Sequence, residues 1–383
     1  MNVVDLFSGV GGLSLGATRA GFNLAAAVEL DQHAIASHIL NFPNSTHIHQ
    51  DVSKLTAQDI LNACKKDEIE CLIGGPPCQG FSSIGKGLAD DSRNQLYIDY
   101  FRLVKELSPL CFLAENVPGI LNSKYDKVRE AAFSQVKEDY ILLNPIKIDA
   151  SLYGAPTKRT RIFFIGFKKG FNISLKETDF LPPDEIETTL VCDALYGIPR
   201  IIKEEWQKEH EGWRRVKMDR MGYFYSRLWG HIPDGVGDKE SIERLKEEIV
   251  SGFLGTVHSE EVTNRYRALA QGSTDRVSRS QRLDPNGFCP TLRAGTGSDK
   301  GSYQAVRPIH PTQSRVITPR EAARLQGFPD WFRFHATKWH SFRQIGNSVS
   351  PLVAEIMLLP LYQFCQSAKE QLSNTKELSC NTR

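Results

Sequence analysis

The stretch Ile73-Gly74-Gly75-Pro76-Pro77-Cys78-Gln79-Gly80-Phe81-Ser82 constrains this chain more than any other. A short apolar run from Cys71 to Ile73 meets two glycines and two prolines, which end a strand and force a turn with little backbone freedom. Cys78 is therefore expected on a stiff loop at the end of a strand. In an open α/β sheet, that rim is where ligands and chemistry gather. The run from Gly80 to Arg93 is rich in Gly, Ser and Asp and reads as a loop able to close over a site. A free cysteine is more often a buried apolar residue, but a rigid turn, a thiol and a loose flap make a poor core.

With 383 residues the chain can bury one large core and carry a second, smaller unit. Its formal charge is nearly balanced at +2. No stretch holds the roughly 18 uninterrupted apolar residues of a membrane span, and Asp5 breaks the N-terminal apolar run, so neither membrane attachment nor a signal peptide is expected. The eight cysteines include no C-x-x-C pair, which speaks against a zinc site or a disulfide framework and fits the cytoplasm. Charge is uneven, however. Between Val262 and Arg343 stand twelve arginines and two lysines against five acids. Such a flank reads either as a polyanion-binding surface or as a set of charges balanced in space.

The first 170 or so residues alternate apolar runs with helical stretches, the pattern of a doubly wound, mostly parallel α/β sheet. Strands are expected over Asn2–Phe7, Leu24–Glu29, Thr46–His49, Cys71–Ile73, Cys111–Ala114, Ile141–Asp149 and Arg161–Phe167. The first runs into Ser8-Gly9-Val10-Gly11-Gly12, where glycines allow a ligand to approach the backbone and a helix start can hold an anionic group. The full dinucleotide pattern is missing, because Ser14 stands where the third glycine belongs, which weakens a nicotinamide dehydrogenase reading. Glu29 and Asp51 close the next two strands, suiting a nucleoside with a charged amino-acid tail. Glu115 follows the fifth strand, and the strands bearing Cys71–Ile73 and Cys111–Ala114 can lie side by side. Arg159 and Arg161 alternate onto one face.

After Leu181-Pro182-Pro183 the alternation stops, and an irregular second unit rich in Trp, Tyr, Arg and Gly is expected. Within it Glu240–Val250 reads as one helix. Thr318-Pro319-Arg320-Glu321 is a capping box that opens a helix to Gln326, with Arg320 and Arg324 on one face. Gln344-Ile345-Gly346-Asn347-Ser348-Val349-Ser350-Pro351 is expected to open a last helix from Leu352 to about Cys365, followed by a frayed polar tail.

One reaction uses a thiol, a carboxylic acid, two guanidiniums and a nucleoside-like donor together. C5 of cytosine is a poor nucleophile. A thiolate adding to C6, with an acid at N3, turns the ring into an enamine that can take a methyl group at C5. The ring must leave the duplex to be reached. On these residues the sequence resembles the DNA cytosine-5 methyltransferase family. The resemblance is carried by Asp5–Gly12, Gly75–Ser82, Glu115-Asn116-Val117, Lys158-Arg159-Thr160-Arg161, Arg320–Pro329 and Gln344–Ser348, in that order along nearly the whole chain.

The resemblance implies Cys78 as nucleophile, Glu115 as N3 partner, and Arg159 and Arg161 as cationic orienters. It implies S-adenosyl-L-methionine as cofactor, lined by Phe7, Gly9, Val10 and Gly12, with Glu29 on the ribose, Leu30 beside the adenine, and Asp51 and Val52 at its edge. Asn347, Ser348 and Val349 would close that pocket. Leu30 stands where many members carry an aromatic residue, so less stacking is expected. Double-stranded DNA is the implied partner, met by Gln79, Ser82, Arg93 and Thr291, with no metal required. The implied organisation is a catalytic and cofactor-binding domain over 1–190, a target-recognition domain over 191–312, a hinge and helix over 313–340, and a returning helix with its tail over 341–383. A monomer is expected, serving a restriction-modification system with a cognate endonuclease as functional partner. Two other readings are an RNA cytosine-5 methyltransferase and a catalytically silent DNA-binding protein.

Overall fold

The computed structural model describes residues 1–77, 93–203, 206, 211–294 and 306–380. Nine strands come first in the chain: β1 (Asn2–Leu6), β2 (Asn23–Val28), β3 (Thr46–Ile48), β4 (Cys71–Gly74), β5 (Cys111–Asn116), β6 (Tyr140–Leu142), β7 (Ile146–Asp149), β8 (Thr157–Lys158) and β9 (Thr160–Lys168). Between the early strands lie α1 (Gly12–Arg19), α2 (Gln32–Asn41), α3 (Ala57–Cys64), α4 (Arg93–Leu107) and α5 (Asp126–Phe133). Eight strands form the main sheet in the order β3-β2-β1-β4-β5-β9-β6, with β7 also paired to β9. Strands β1 to β5 are parallel, and β9 runs antiparallel to β5, β6 and β7. The expected doubly wound sheet is thus present. The neighbouring pair β4–β5 is as expected too, registering Cys71 with Cys111 and Gly74 with Ala114.

Helices cover both faces, as buried parallel strands require. Leu15, Ala17, Val353 and Met357 belong to one core, while Tyr97, Tyr100, Phe101 and Phe112 pack on the other face. The first core is closed by the C-terminal helix returning onto α1. At that contact a Cβ on Gly16 would lie 2.2 Å from Ala354 Cβ, so the two helices touch backbone to backbone.

Three expectations fail for local reasons. Ile141–Asp149 is two strands, β6 and β7, because Pro145 between them has no N–H to give a ladder. Glu240–Val250 divides into α8 (Lys239–Lys246), capped by Asp238, and β11 (Ile249–Val250), which pairs with β10 (Arg214–Arg215). The break falls at Glu248, which takes a left-handed φ of 59°. At the C-terminus there are two helices, α11 (Lys338–Asn347) and α12 (Pro351–Cys380), the second running well past Cys365. Pro351 starts α12 and keeps Ser350 out of helical geometry. This C-terminal segment is apolar and long enough to cross a membrane by composition, yet 78% of its most apolar window is buried inside the protein.

The middle of the chain holds α6 (Val191–Ala194), α7 (Tyr223–Trp229), α9 (Glu260–Ala268) and β12 (Cys289–Pro290). Val191, Phe224, Leu228 and Leu245 join the larger core, whereas Tyr266, Ile309 and Val316 form a small one of their own. The capping box opens α10 (Pro319–Leu325) as expected. The basic flank, by contrast, is only partly a surface. Arg320 and Arg324 are fully buried. Arg324 is doubly bonded to Asp330 at 2.8 and 2.6 Å, Arg315 likewise to Glu321 at 2.8 and 2.7 Å, and Arg320 serves the carbonyls of Ser251, Pro329 and Phe332. Arg276 and Arg279 remain exposed.

Candidate active site

The strand order places the topological switch between β1 and β4. From β1 the chain winds outward through β2 and β3, then crosses back to β4 and β5. The crevice outside the carboxyl ends of β1 and β4 is where such sheets bind ligands. Its first wall is the glycine turn after β1. Phe7 and Gly9 both take left-handed φ values, 59° and 56°. Glu29, at the end of β2, accepts N–H bonds from Gly9 (2.8 Å), Leu30 (2.7 Å) and Asp31 (2.8 Å), so its carboxylate pins the turn to the next loop. Burial pushes the Glu29 carboxyl above its ordinary range, against those three donors. A Cβ on Gly9 would meet nothing within 4 Å, so the turn opens onto free space.

The far side of this turn is closed. A Cβ on Gly12 would lie 2.2 Å from Ser348 Oγ and 2.3 Å from the Val349 carbonyl oxygen. Ser348 is held by Gln326, whose amide donates to its carbonyl at 2.9 Å. Asn347 ends α11 and is exposed; Val349 is buried. Along the same rim Asp51 caps the short turn Val52–Lys54, Val52 is buried, and Leu30 is 62% exposed. An open backbone cradle, a carboxylate fixed at its edge and an exposed apolar side chain beside it fit an adenosine-type group carrying a charged tail.

The second wall lies on β4 and β5. Cys78, Gln79 and Ser82 lie outside the described residues, as does the side chain of Arg93, and with them the expected closing loop. Their approach is nevertheless visible. Gly75 follows β4, and a Cβ there would sit 3.1 Å from Glu115 Oε2. Glu115 Oε1 meets Arg161 Nε at 2.6 Å, with both side chains largely shielded. The Asn116 amide reaches the Pro76 carbonyl at 3.5 Å. The carboxyl of Glu115 is thus clamped by Arg161 on one oxygen and turned by the other toward the Gly75-Pro76-Pro77 turn.

Arg159 and Arg161 point into different surroundings. Arg159 is buried and donates to the carbonyls of Leu292 (3.2 Å) and Gly346 (2.9 Å). It thereby ties the segment just after β12 to α11. Pairing of β8 with β12 brings Thr291 alongside, its hydroxyl donating to the Lys158 carbonyl at 2.8 Å. Thr291 therefore lies beside the Lys158–Arg159 segment although 132 residues separate it from Arg159 in the chain.

A buried polar chain beneath the glycine turn has no counterpart in the sequence reading. Ser14 Oγ donates to Asp5 Oδ2 at 2.5 Å and lies 3.0 Å from His38 Nε2, while His38 Nδ1 lies 2.9 Å from His47 Nε2. Burial pushes the Asp5 carboxyl up to about 7 and pushes His38 far below its ordinary value. His38 is therefore neutral, and the network assigns its Nε2–H to Ser14 and the His47 Nε2–H to its Nδ1. The residues are distributed over β1, α1, α2 and β3, so no local pattern could have disclosed them.

The model of C-5 cytosine-specific DNA methylases matches residues 1–361. Type II methyltransferase M.XorII of Xanthomonas oryzae pv. oryzae is 41% identical over 364 residues, covering 92% of this chain and 82% of that protein. Type II methyltransferase M.DdeI of Desulfomicrobium norvegicum is 32% identical over 380 residues, covering 93% and 87%. Among solved structures, a protein described as a DNA modification methyltransferase encoded within an E. coli prophage superposes with a TM-score of 0.88 at 59% identity, covering 96% of this chain and 99% of that one.

Proposed function

The chain belongs to the C-5 cytosine-specific DNA methylase family and is a DNA cytosine-5 methyltransferase; from that premise we propose that Cys78 is its nucleophile and S-adenosyl-L-methionine its methyl donor. The observation that carries this reading is the Glu115–Arg161 pair, clamped at 2.6 Å beside the turn that leads into Cys78. Gly9, Gly12 and Phe7 would cradle the cofactor, Val10 would back the turn, and Glu29 would take the ribose hydroxyls. Leu30, Asp51 and Val52 would border the adenine, and Asn347, Ser348 and Val349 would form the opposite wall. When bound there, the cofactor supplies an electrophilic methyl group.

The chain's own residues do the rest. The thiolate of Cys78 adds to C6 of a cytosine swung out of the duplex, and Glu115 delivers a proton to N3, leaving an enamine with its electron pair at C5. Once C5 carries the methyl group, solvent water takes the C5 proton as the Cys78 thiolate is expelled, and N3 returns its proton to the Glu115 carboxylate, restoring the ring. Arg161 holds the Glu115 carboxyl in one orientation throughout. Arg159 acts through the backbones it joins, as a positioning residue. The segment 191–312 would form the target-recognition domain, with Thr291 near the flipped base and Gln79, Ser82 and Arg93 on the DNA side. Its relatives are Type II methyltransferases, which supports a place in a restriction-modification system beside a cognate endonuclease, the enzyme working as a cytoplasmic monomer.

Bisulfite sequencing of DNA from cells expressing the gene identifies the methylated site. A duplex carrying 5-fluorocytosine at that site, incubated with enzyme and S-adenosyl-L-methionine, should yield a covalent protein–DNA adduct, because fluorine cannot leave as the C5 proton does. Cys78→Ser should bind the duplex without forming it. An adduct that survives in Cys78→Ser would overturn the assignment of the nucleophile.

A further inference from the structure

We propose that His33, His335 and His340 form a binding site for a divalent transition-metal ion of the zinc class, which staples α2 to α11. One ring nitrogen from each lies within 4.8 Å of the others, and all three side chains are half-buried. The rings are packed together, with centroids 3.7 Å apart for His33 and His340, 4.4 Å for His335 and His340, and 4.9 Å for His33 and His335. Nitrogen ligands at about 2.0–2.1 Å from a tetrahedral ion stand roughly 3.4 Å from one another. Small side-chain rotations therefore bring these three into coordination range.

Two features make this more than a chance meeting of rings. The first is preorganisation. Gln344, buried in α11, donates its amide to the His33 carbonyl at 2.8 Å and accepts from the His335 N–H at 3.0 Å. The backbones of two ligands from opposite ends of the chain are thus fixed by one side chain before any ion arrives. The second is an outer partner. His335 Nδ1 accepts the Thr337 N–H at 3.0 Å and lies 3.1 Å from Thr337 Oγ1, which fixes the ring; binding through Nε2 requires the Nδ1–H tautomer, with the Thr337 hydroxyl accepting that proton and the Thr337 N–H released. Asp31 is already committed as the cap of α2 and as partner of Arg343 at 3.2 Å, so a fourth position falls to water. Three imidazoles suit zinc, copper or nickel rather than magnesium or calcium. The absence of C-x-x-C pairs has no bearing on such a site, whose ligands are all histidine.

The test is uptake of Co²⁺ and Zn²⁺ by the purified, chelator-treated full-length protein, read by visible absorption for cobalt and by calorimetry for zinc. His33→Ala, His335→Ala and His340→Ala are compared singly, with melting of each metal-free variant as a check on folding. The expected result is about one ion per chain at micromolar affinity, weakened about tenfold or more in at least two of the three variants, with zinc raising the melting temperature of the wild type alone. No uptake by the wild type overturns the proposal, and so does uptake that at most one variant weakens, since that places the ion elsewhere, for example on a cysteine. Neither readout depends on methyl transfer, so failure here leaves the catalytic reading intact.

Discussion

Replacing Gly12 with alanine tests whether the proposed cofactor cradle is built by the two ends of the chain. The added carbon would stand 2.2 Å from Ser348 Oγ and 2.3 Å from the Val349 carbonyl oxygen, where ordinary non-bonded separations are about 3.5 Å. Rotating Ser348 relieves only the first contact. The second is with backbone, in a segment held by Gln326 at 2.9 Å and leading straight into buried α12. The wall must therefore retreat on the order of 1 Å, at the roughly 1–3 kcal/mol typical of overpacking. Spent at the cofactor site, that is about 5- to 150-fold in Kd. Gly9→Ala is the control. Its φ of 56° costs an L-residue about 1 kcal/mol, but nothing lies within 4 Å of the new carbon. Cofactor affinity by calorimetry and melting temperature should separate the two: Gly12→Ala loses both, whereas Gly9→Ala loses affinity by filling the open cradle and melts nearly as the wild type does. Normal affinity in Gly9→Ala would refute the placement of the cofactor over this turn, and an unchanged melt in Gly12→Ala would refute the closed wall.

Glu115→Gln keeps the shape beside Arg161 but cannot deliver a proton, so single-turnover methylation should fall about 10²- to 10⁴-fold with duplex affinity retained; a fall of less than tenfold would remove Glu115 from proton transfer. Asp330→Asn leaves the fully buried Arg324 without its doubly bonded partner and should cost about 3–5 kcal/mol in denaturant unfolding, a loss below 1 kcal/mol contradicting the reading of that pair as an internal tie. Asp5 should make stability fall as pH rises. Its carboxyl holds a proton in the fold up to about 7 and releases it near 3.8 when unfolded, so stability drops across that window by up to about 1.4 kcal/mol per pH unit. Asp5→Asn should flatten this slope in melts between pH 5 and 8, and parallel profiles for the two proteins would dismiss Asp5 as its source.

What the sequence disclosed and what it hid divide along the range of the forces involved. The parallel strands were legible because burial on both faces leaves uninterrupted apolar runs, each cut off by Gly, Pro or an acid. The capping box at Thr318 and Glu321 was legible because its parts lie three residues apart. The burial of Arg315, Arg320 and Arg324 was not, because a charge shows its sign in the sequence but never its partner. Arg159 likewise shows its charge in the sequence but not the Leu292 and Gly346 carbonyls that it bonds in the fold. Ser14 makes the point most sharply. In the sequence it counts only as a missing third glycine, evidence against one kind of turn. In the fold its hydroxyl is the donor to a carboxylate buried beneath the cradle, 2.5 Å away, and lies within reach of His38. A glycine there would leave Asp5 without that donor under the turn expected to hold the cofactor. The residue that departs from one phosphate-binding pattern is therefore part of what supports a different site.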